Sequence, residues 1–297
     1  MKNTIAVMNT KGGVGKSTVV LALAETLSVF EHKSVLVIDS DAQASISAML
    51  ISTNDLYHIQ TSGRTIVEYL VSTVLNNQNE DWGNYVVPGV SDVDDAETVL
   101  LLPSDVQLTL FEREVSRESQ HTRLRAEIGR LLNRLRDSFD LILIDCPPGL
   151  SVLTESWLRE ADYHITPTKA DYISTCGLEV FRRFKSLHPE MGFAKNLGVV
   201  INMKDLTSVI DDEYHKWLLQ DPDNHCFDSV IPRMNAMQDA ARFREDDRSF
   251  AAKYPGAAGH ALCGLAREIL ARLEVDQADQ PRLPPPRPAA IGQSSGR

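Results

Sequence analysis

The residues Asn9-Thr10-Lys11-Gly12-Gly13-Val14-Gly15-Lys16-Ser17-Thr18 have the types and spacing that phosphate chemistry asks for. Glycine, lacking a Cβ, reaches backbone conformations in which successive N–H groups converge on phosphate oxygens. Lys16 supplies a point charge for β- and γ-phosphates, and Ser17 a hydroxyl suited to Mg²⁺. The run is a deviant G-x-x-x-x-G-K-[ST] pattern: Thr10 stands where the first glycine would fall, and Lys11 adds a second lysine. A glycine-rich turn that matches by chance is the alternative. The flanks oppose it, because Ile5-Ala6-Val7-Met8 reads as a strand and residues 19–27 as a helix. Strand, loop and helix in that order also aim a helix dipole at the loop.

Two apolar runs end in acids. Ser34-Val35-Leu36-Val37-Ile38-Asp39 leads into Ser40-Asp41-Ala42-Gln43, and Phe139-Asp140-Leu141-Ile142-Leu143-Ile144-Asp145 into Cys146-Pro147-Pro148-Gly149. Both read as buried parallel strands, and ligands in open α/β sheets bind at the carboxyl ends of strands. The acids should therefore face the glycine-rich loop, with Asp145 holding a magnesium-bound water. Helix capping is the other use of Asp39 and Asp41.

The elements that must carry these residues alternate. Strands are expected at 99–102, 161–167, 196–202 and 229–233, with another around Tyr85-Val86-Val87. Helices are expected at 65–75, 108–136 with a break near Ser119, 177–187, 211–219, 237–252 and 260–273. The pattern predicts an α/β fold: a doubly wound, mostly parallel sheet with helices on both faces. Leu124, Ile128, Leu131, Leu132 and Leu135 form one helix face, flanked by Arg123, Arg125, Arg130, Arg134 and Arg136. Those arginines either cover the core with their stems or contact nucleic acid. No internal repeat is evident.

A chain of 297 residues is long enough to bury a large core. Its net charge of −11 argues against a generally basic nucleic-acid coat, though a local patch survives at Arg233, Arg242, Arg244, Arg248 and Lys253. Four dispersed cysteines form no C-x-x-C pair, so reduced, mostly buried thiols are expected. No run reaches the ~18 apolar residues of a membrane span, and no signal peptide is visible; a cytoplasmic protein is expected. Two regions follow: a domain over 1–273, and a Pro-rich disordered tail over 274–297 that is either inert or a docking peptide.

Over most of 1–273 the chain resembles the ParA/MinD family of deviant Walker P-loop NTPases. The carriers are Lys11-Gly12-Gly13-Val14-Gly15-Lys16-Ser17-Thr18, Asp39-Ser40-Asp41-Ala42-Gln43 and Asp140 through Pro148, with fainter echoes at Leu102-Pro103-Ser104, Leu197 through Asn202 and Ile231-Pro232-Arg233. Ala42 replaces the family's usual proline in the second element. The resemblance implies ATP and Mg²⁺ as cofactors and a homodimer with ATP sandwiched between subunits. The loop from Gly12 to Thr18 would bind the nucleotide, with Lys16 on its own subunit's phosphates. Lys11 would reach the partner's nucleotide, stabilising developing charge. Ser17 would ligate Mg²⁺ with Asp39 and Asp145 in the outer shell, and Asp41 would position the attacking water. Asn202 and the backbone near Pro232 would contact adenine.

The resemblance leaves several activities open. A ParA-like ATPase would bind non-specific DNA as an ATP dimer, associate with the nucleoid, distribute DNA or protein cargo, and answer to a ParB-like or cargo adaptor. A MinD-like one would carry a C-terminal membrane helix, but Ala261, Leu262, Leu265, Ile269 and Leu273 read more economically as core. A nitrogenase-reductase-like one would need a second cysteine to join Cys146 at a cluster. A nucleotide-switched scaffold without hydrolysis is the reading from another class, opposed by the presence of both Lys11 and Asp41.

Overall fold

The structure, a computed structural model, describes residues 3–278. The expected 274–297 tail lies outside them beyond Ala278. Six strands pair in one all-parallel sheet: β1 (Thr4–Val7), β2 (Val35–Asp39), β3 (Val99–Leu102), β4 (Leu141–Asp145), β5 (Tyr163–Thr168) and β6 (Lys195–Ile201), in the spatial order β3-β2-β4-β1-β5-β6.

Alternation within the strands explains why both faces are covered. Ile5, Val7, Val35, Val37, Leu141 and Leu143 point to one side. There they meet Val19, Leu23 and Leu27 of α1 (Lys16–Glu31) and Leu262, Leu265 and Ile269 of the C-terminal helix (Ala257–Ala278). Ala6, Met8, Leu36, Ile38, Ile142 and Ile144 point to the other, against Leu124, Ile128, Leu131 and Leu135 of a helix over Glu118–Arg136 and Trp157 of one over Val152–Glu160. Strands buried on both faces are what a doubly wound parallel sheet requires. Among the described residues no helix is long and apolar enough to cross a membrane.

The helices are α1, α2 (Ser45–Leu50), α3 (Thr53–Thr61), α4 (Ile66–Leu70), α5 (Leu108–Val115), α6 (Glu118–Arg136), α7 (Val152–Glu160), α8 (Tyr172–Leu187), α9 (Val209–Gln220), α10 (Asn235–Ala240), α11 (Phe250–Lys253) and α12 (Ala257–Ala278). The expected break in 108–136 falls at Ser116–Arg117, and α4 runs into a wide π turn over Val71–Leu75. The arginines of α6 are engaged locally: Arg125 with Glu160, Arg130 with Glu127, Arg134 with Asp81 and Arg136 with Asp162.

Several expectations are corrected. No strand forms at Tyr85-Val86-Val87. Val87 makes an isolated antiparallel bridge to Leu101: on one side Gly89 (φ +65°) turns the chain, and on the other Pro103 has no N–H to offer Tyr85. Residues 229–233 form no strand and give only a parallel bridge between Lys204 and Pro232. The segment nevertheless covers the outer edge of β6. The Phe227 and Ile231 amides donate to the Val199 and Ile201 carbonyls at 3.0 and 2.9 Å, and Arg272 donates to the Leu197 carbonyl at 2.7 Å. The helix expected over 237–252 is split into α10 and α11, since Asp92 captures the intervening chain through the Arg244 amide (3.0 Å) and the Arg248 side chain (2.9 Å).

α12 continues past Leu273 to Ala278, so the folded unit passes the expected boundary. Its last turn has partners that hydropathy does not reveal: Asp276 accepts from Tyr163 Oη at 2.6 Å and pairs with Lys195.

Candidate functional site

The glycine-rich loop joins the end of β1 to α1 at the middle of the sheet. Gly13 and Gly15 take the left-handed backbone region (φ +73° and +82°). A Cβ on Gly15 would collide with the Asn202 amide and lie 2.9 Å from Met203 Cε; beside Gly12 and Gly13 the space is open. No side chain caps α1, so its first N–H groups face the cleft for an anion to satisfy.

Two asparagines fix this loop. Asn9 donates to the Pro167 carbonyl at 2.8 Å and accepts from the Lys11 amide at 2.8 Å. Asn202 donates to the Val14 carbonyl at 2.8 Å and accepts from the Met203 amide at 2.9 Å. Asn202's side chain is thus engaged by backbone, and its place in the site is to pin the loop to the end of β6. Asn9 heads the run that the sequence singles out, but nothing local to it signals this pinning role, since its partners Pro167 and the loop backbone emerge only in the fold.

The acids converge as expected. Asp39 and Asp145 are register partners on β2 and β4, and Val7 of β1 pairs with Asp145. Both carboxylates are buried. Asp39 is fully engaged: its oxygens accept from the Asp41 amide at 3.1 Å and from the Ser47 amide and hydroxyl at 3.0 and 2.6 Å. It ties down the first turn of α2 from the end of β2, although the N-cap position itself is held by Ala44 without a side-chain cap, so neither acid serves as the N-cap. Asp145 differs, because neither of its oxygens has a hydrogen-bond partner of ordinary geometry, although the nearby Ser17 hydroxyl eases its charge.

Burial, with Asp39 adding repulsion, pushes Asp145 well above the usual carboxylate range. Burial likewise lowers Lys16, against the pull of Asp145 and Asp41. A sealed carboxylate without a donor fits a nearby cation. Among the described residues no group of three or more His, Cys, Asp or Glu side chains could hold a metal alone. A Mg²⁺ ion here would need phosphate oxygens and water besides Ser17, which is its ordinary preference.

Burial pushes Asp39 up to about 6, outweighing its hydrogen bonds from Ser47 and Asp41. From about pH 4 to about 6 the folded chain then keeps a proton that the unfolded chain has lost. Its contribution to stability falls as pH rises through that window and is level above it. The two-unit displacement corresponds to ~3 kcal/mol. Asp39→Asn loses one acceptor oxygen, but it has no carboxylate to ionise, so its melting temperature relative to the parent should rise between pH 4 and 6 and level off above that, in melts without nucleotide. A margin independent of pH would sink this account.

Asp41 is set apart by its access. It is only partly buried, accepts from the Gln43 amide at 2.9 Å, and shares a cleft of about 300 Å³ with Gly12, Gly13, Gly15, Lys16, Ser17 and Thr18. A second cleft of about 520 Å³ opens from Gly13 and Thr18 toward Asn202, Met203, Pro232, Met234 and Met237. Pro232 is held there by its neighbours, since Lys204 donates to Ile231 at 3.1 Å and Arg233 donates to Lys204 at 2.8 Å. The three methionines offer a soft apolar wall on which a planar base can lie. Lys11 points elsewhere: its Nζ donates to Ser174 Oγ at 3.0 Å and lies 3.6 Å from Asp171.

The basic cluster expected near the C-terminal helices is partly internal, with two of its five residues buried. Lys253 is fully buried between Glu25 and Asp92, and Arg248 is buried against Asp92. Arg244 pairs with Asp239. Arg233 and Arg242 remain exposed. Cys146 is buried, its thiol pushed up by burial and by Asp145, but Cys226 and Cys263 are half-buried and Cys176 is exposed, so the thiols are not mostly buried as expected.

A family model described as "AAA domain" matches residues 2–195. The chromosome partitioning protein ParA of Caulobacter vibrioides is 27% identical over 285 residues, covering 92% of this chain and 96% of that protein. The chromosome-partitioning ATPase Soj of Treponema pallidum is 27% identical over 276 residues, covering 92% and 98%. Among solved structures, cobyrinic acid a,c-diamide synthase from Mycobacterium smegmatis with bound ADP and magnesium has the same fold, with a TM-score of 0.70 at 22% identity over 93% of this chain and 97% of that one.

Proposed function

Because the chain belongs to the AAA domain family, as a ParA-like P-loop ATPase, we propose that it hydrolyses ATP to ADP and phosphate and uses the nucleotide to pair two copies of itself. The observation that carries this reading is the company of Lys16: uncapped helix amides, two buried strand-end acids, a solvent-reached Asp41 and a second lysine at the head of the same loop. An inert phosphate binder has no use for the last two.

In this reading Gly12 through Thr18 cradle the phosphates, and Lys16 balances their charge within the subunit. Mg²⁺ would sit at the Ser17 hydroxyl beside Asp145 and Asp39, supplying charge neutralisation at the phosphates. Asp41 orients the attacking water at the mouth of the cleft. Lys11 crosses to the partner's nucleotide. The base lies against Met203, Pro232 and Met234, with Asn202 coupling that cleft to the loop. The folded domain extends to at least Ala278.

The ATP dimer binds DNA without sequence preference and positions DNA or protein cargo, with a ParB-like or cargo adaptor triggering hydrolysis at the nucleoid. The names of the relatives support this part. Exposed Arg233 and Arg242 supply little charge per subunit, so affinity depends on the dimer doubling them. The burial of Leu262, Leu265, Ile269 and Leu273 favours it over a membrane-anchored reading, since the apolar face of α12 is spent on the core.

Light scattering after gel filtration, followed by a mobility shift on duplex DNA in low salt, tests the reading. Wild type should dimerise with ATP and shift DNA in that state only, with an affinity that falls steeply with salt. Lys11→Ala should bind ATP as a monomer. ATP-independent monomers of wild type would overturn the pairing, and a dimer that leaves DNA unshifted would overturn the DNA-binding part.

A further inference from the structure

We propose that Asp171 and Ser174, at the start of α8, form a berth that holds Lys11 within its own subunit and sets how readily it is released to a partner's nucleotide. This rests on the crossing role of Lys11 given above. The berth is built from rigid parts. Asp171 caps α8 by accepting from the Ser174 amide at 2.7 Å, and Ser174 is fully buried. The Ser174 hydroxyl takes the Lys11 ammonium at 3.0 Å, with the Asp171 carboxylate 3.6 Å away. Lys11 keeps 31% of its side-chain surface exposed, so it is held at the rim of the site rather than sealed within it.

The loop and α8 are in contact at Gly177, where a side chain would find only ordinary van der Waals room. A Cβ there would lie 3.5 Å from Thr10 Oγ1 and 3.9 Å from Lys11 Cβ, and Thr10 already donates to the Gly177 carbonyl at 3.3 Å. The contact thus has three strands: Thr10 on Gly177, Lys11 on Ser174, Lys11 on Asp171. Although burial opposes it, the Ser174 bonds and the Lys11 charge together hold the Asp171 carboxyl below its ordinary range.

A single ammonium cannot serve the berth and a nucleotide across an interface together. Pairing therefore exchanges one set of contacts for the other, and a stronger berth gives a weaker dimer. Such a partly exposed ion pair is worth little by itself. Two copies release two lysines, so losing the berth should tighten the dimer roughly two- to twentyfold.

Asp171→Asn keeps a good helix cap while removing the charge, and Ser174→Ala removes the hydroxyl alone. Labelling with an amine-reactive ester, read by mass spectrometry against exposed Lys216, reports on Lys11 without nucleotide. Dimerisation with a non-hydrolysable ATP analogue reports on the exchange. Both variants should label Lys11 several-fold faster and dimerise at lower protein concentration. Unchanged labelling in both would overturn the berth. Faster labelling with weaker dimers would also overturn it, by placing Asp171 on the partner's side of the exchange. If wild type never dimerises, the crossing role fails and the release step with it, while labelling alone still decides whether Lys11 is held.

Discussion

Asp41→Asn should slow phosphate release by about 10²–10⁴-fold, the usual contribution of a positioned acid–base group, while leaving nucleotide binding nearly intact. Three carboxylates ring the loop, and their surroundings divide the work. Asp39 is consumed by Ser47 and the Asp41 amide, and Asp145 is sealed beneath Ser17. Only Asp41 lies where water reaches both it and the phosphate cleft. Asparagine is the sharper substitution, because its side-chain oxygen still accepts from the Gln43 amide and preserves the local turn. Alanine removes turn and charge together. The check is steady-state phosphate release beside nucleotide affinity by calorimetry. Near-normal turnover of the asparagine variant, with a defective alanine one, would reduce Asp41 to a turn former.

Lys253→Met should lower stability by about 3–5 kcal/mol, the usual loss when one partner of a buried ion pair is removed. On a chain of this size that is a fall in melting temperature on the order of 10 °C. The Lys253 ammonium binds Glu25 at 2.6 Å and Asp92 at 2.5 Å, with none of the three side chains exposed. Tyr254 and Ser91 complete Glu25 at 2.6 Å each, and Arg248 holds the other oxygen of Asp92 at 2.9 Å. Methionine would fill much of the volume but leave buried Glu25 with only the Ser91 and Tyr254 hydroxyls, while Asp92 keeps Arg248 and the Arg244 amide. Arg244→Ala serves as the contrast: its exposed pair with Asp239 should be worth under about 1 kcal/mol. Equal losses in thermal or denaturant unfolding would show that the cluster is held by packing rather than by charge.

That cluster also marks where sequence reading stopped working. The loop and the two strand-end acids were legible because each signal is local: glycine spacing, an apolar run, an acid at its end. Parallel pairing then brings Asp39 and Asp145 side by side without further information. Arg248 and Lys253 read as surface charge because isolated charges nearly always are. Their partners stand far off in the chain, 161 residues for Asp92 and 228 for Glu25 in the case of Lys253. The same distance hid Ser174 from Lys11 and Val14 from Asn202. The helix expected over 237–252 failed for a related reason, since propensity cannot foresee that Asp92 will bind the middle of it. Asp276 extends α12 by a bond to Tyr163 that no helical periodicity encodes.

The covering of the outer strands bears on how copies of this protein meet. On β6 the amides of Phe227 and Ile231 and the Arg272 guanidinium already occupy carbonyls that another strand would seek. On β3, Val87 exchanges two backbone bonds with Leu101, at 2.8 and 3.0 Å. An open sheet with bare flanks invites lateral zippering into ribbons, independent of any ligand. Here both flanks are blunted, and ribbon growth by strand addition is closed off. Under the proposed pairing, self-association would then use side-chain surfaces rather than strand edges, leaving nucleotide occupancy to govern it without a competing route that ignores the ligand.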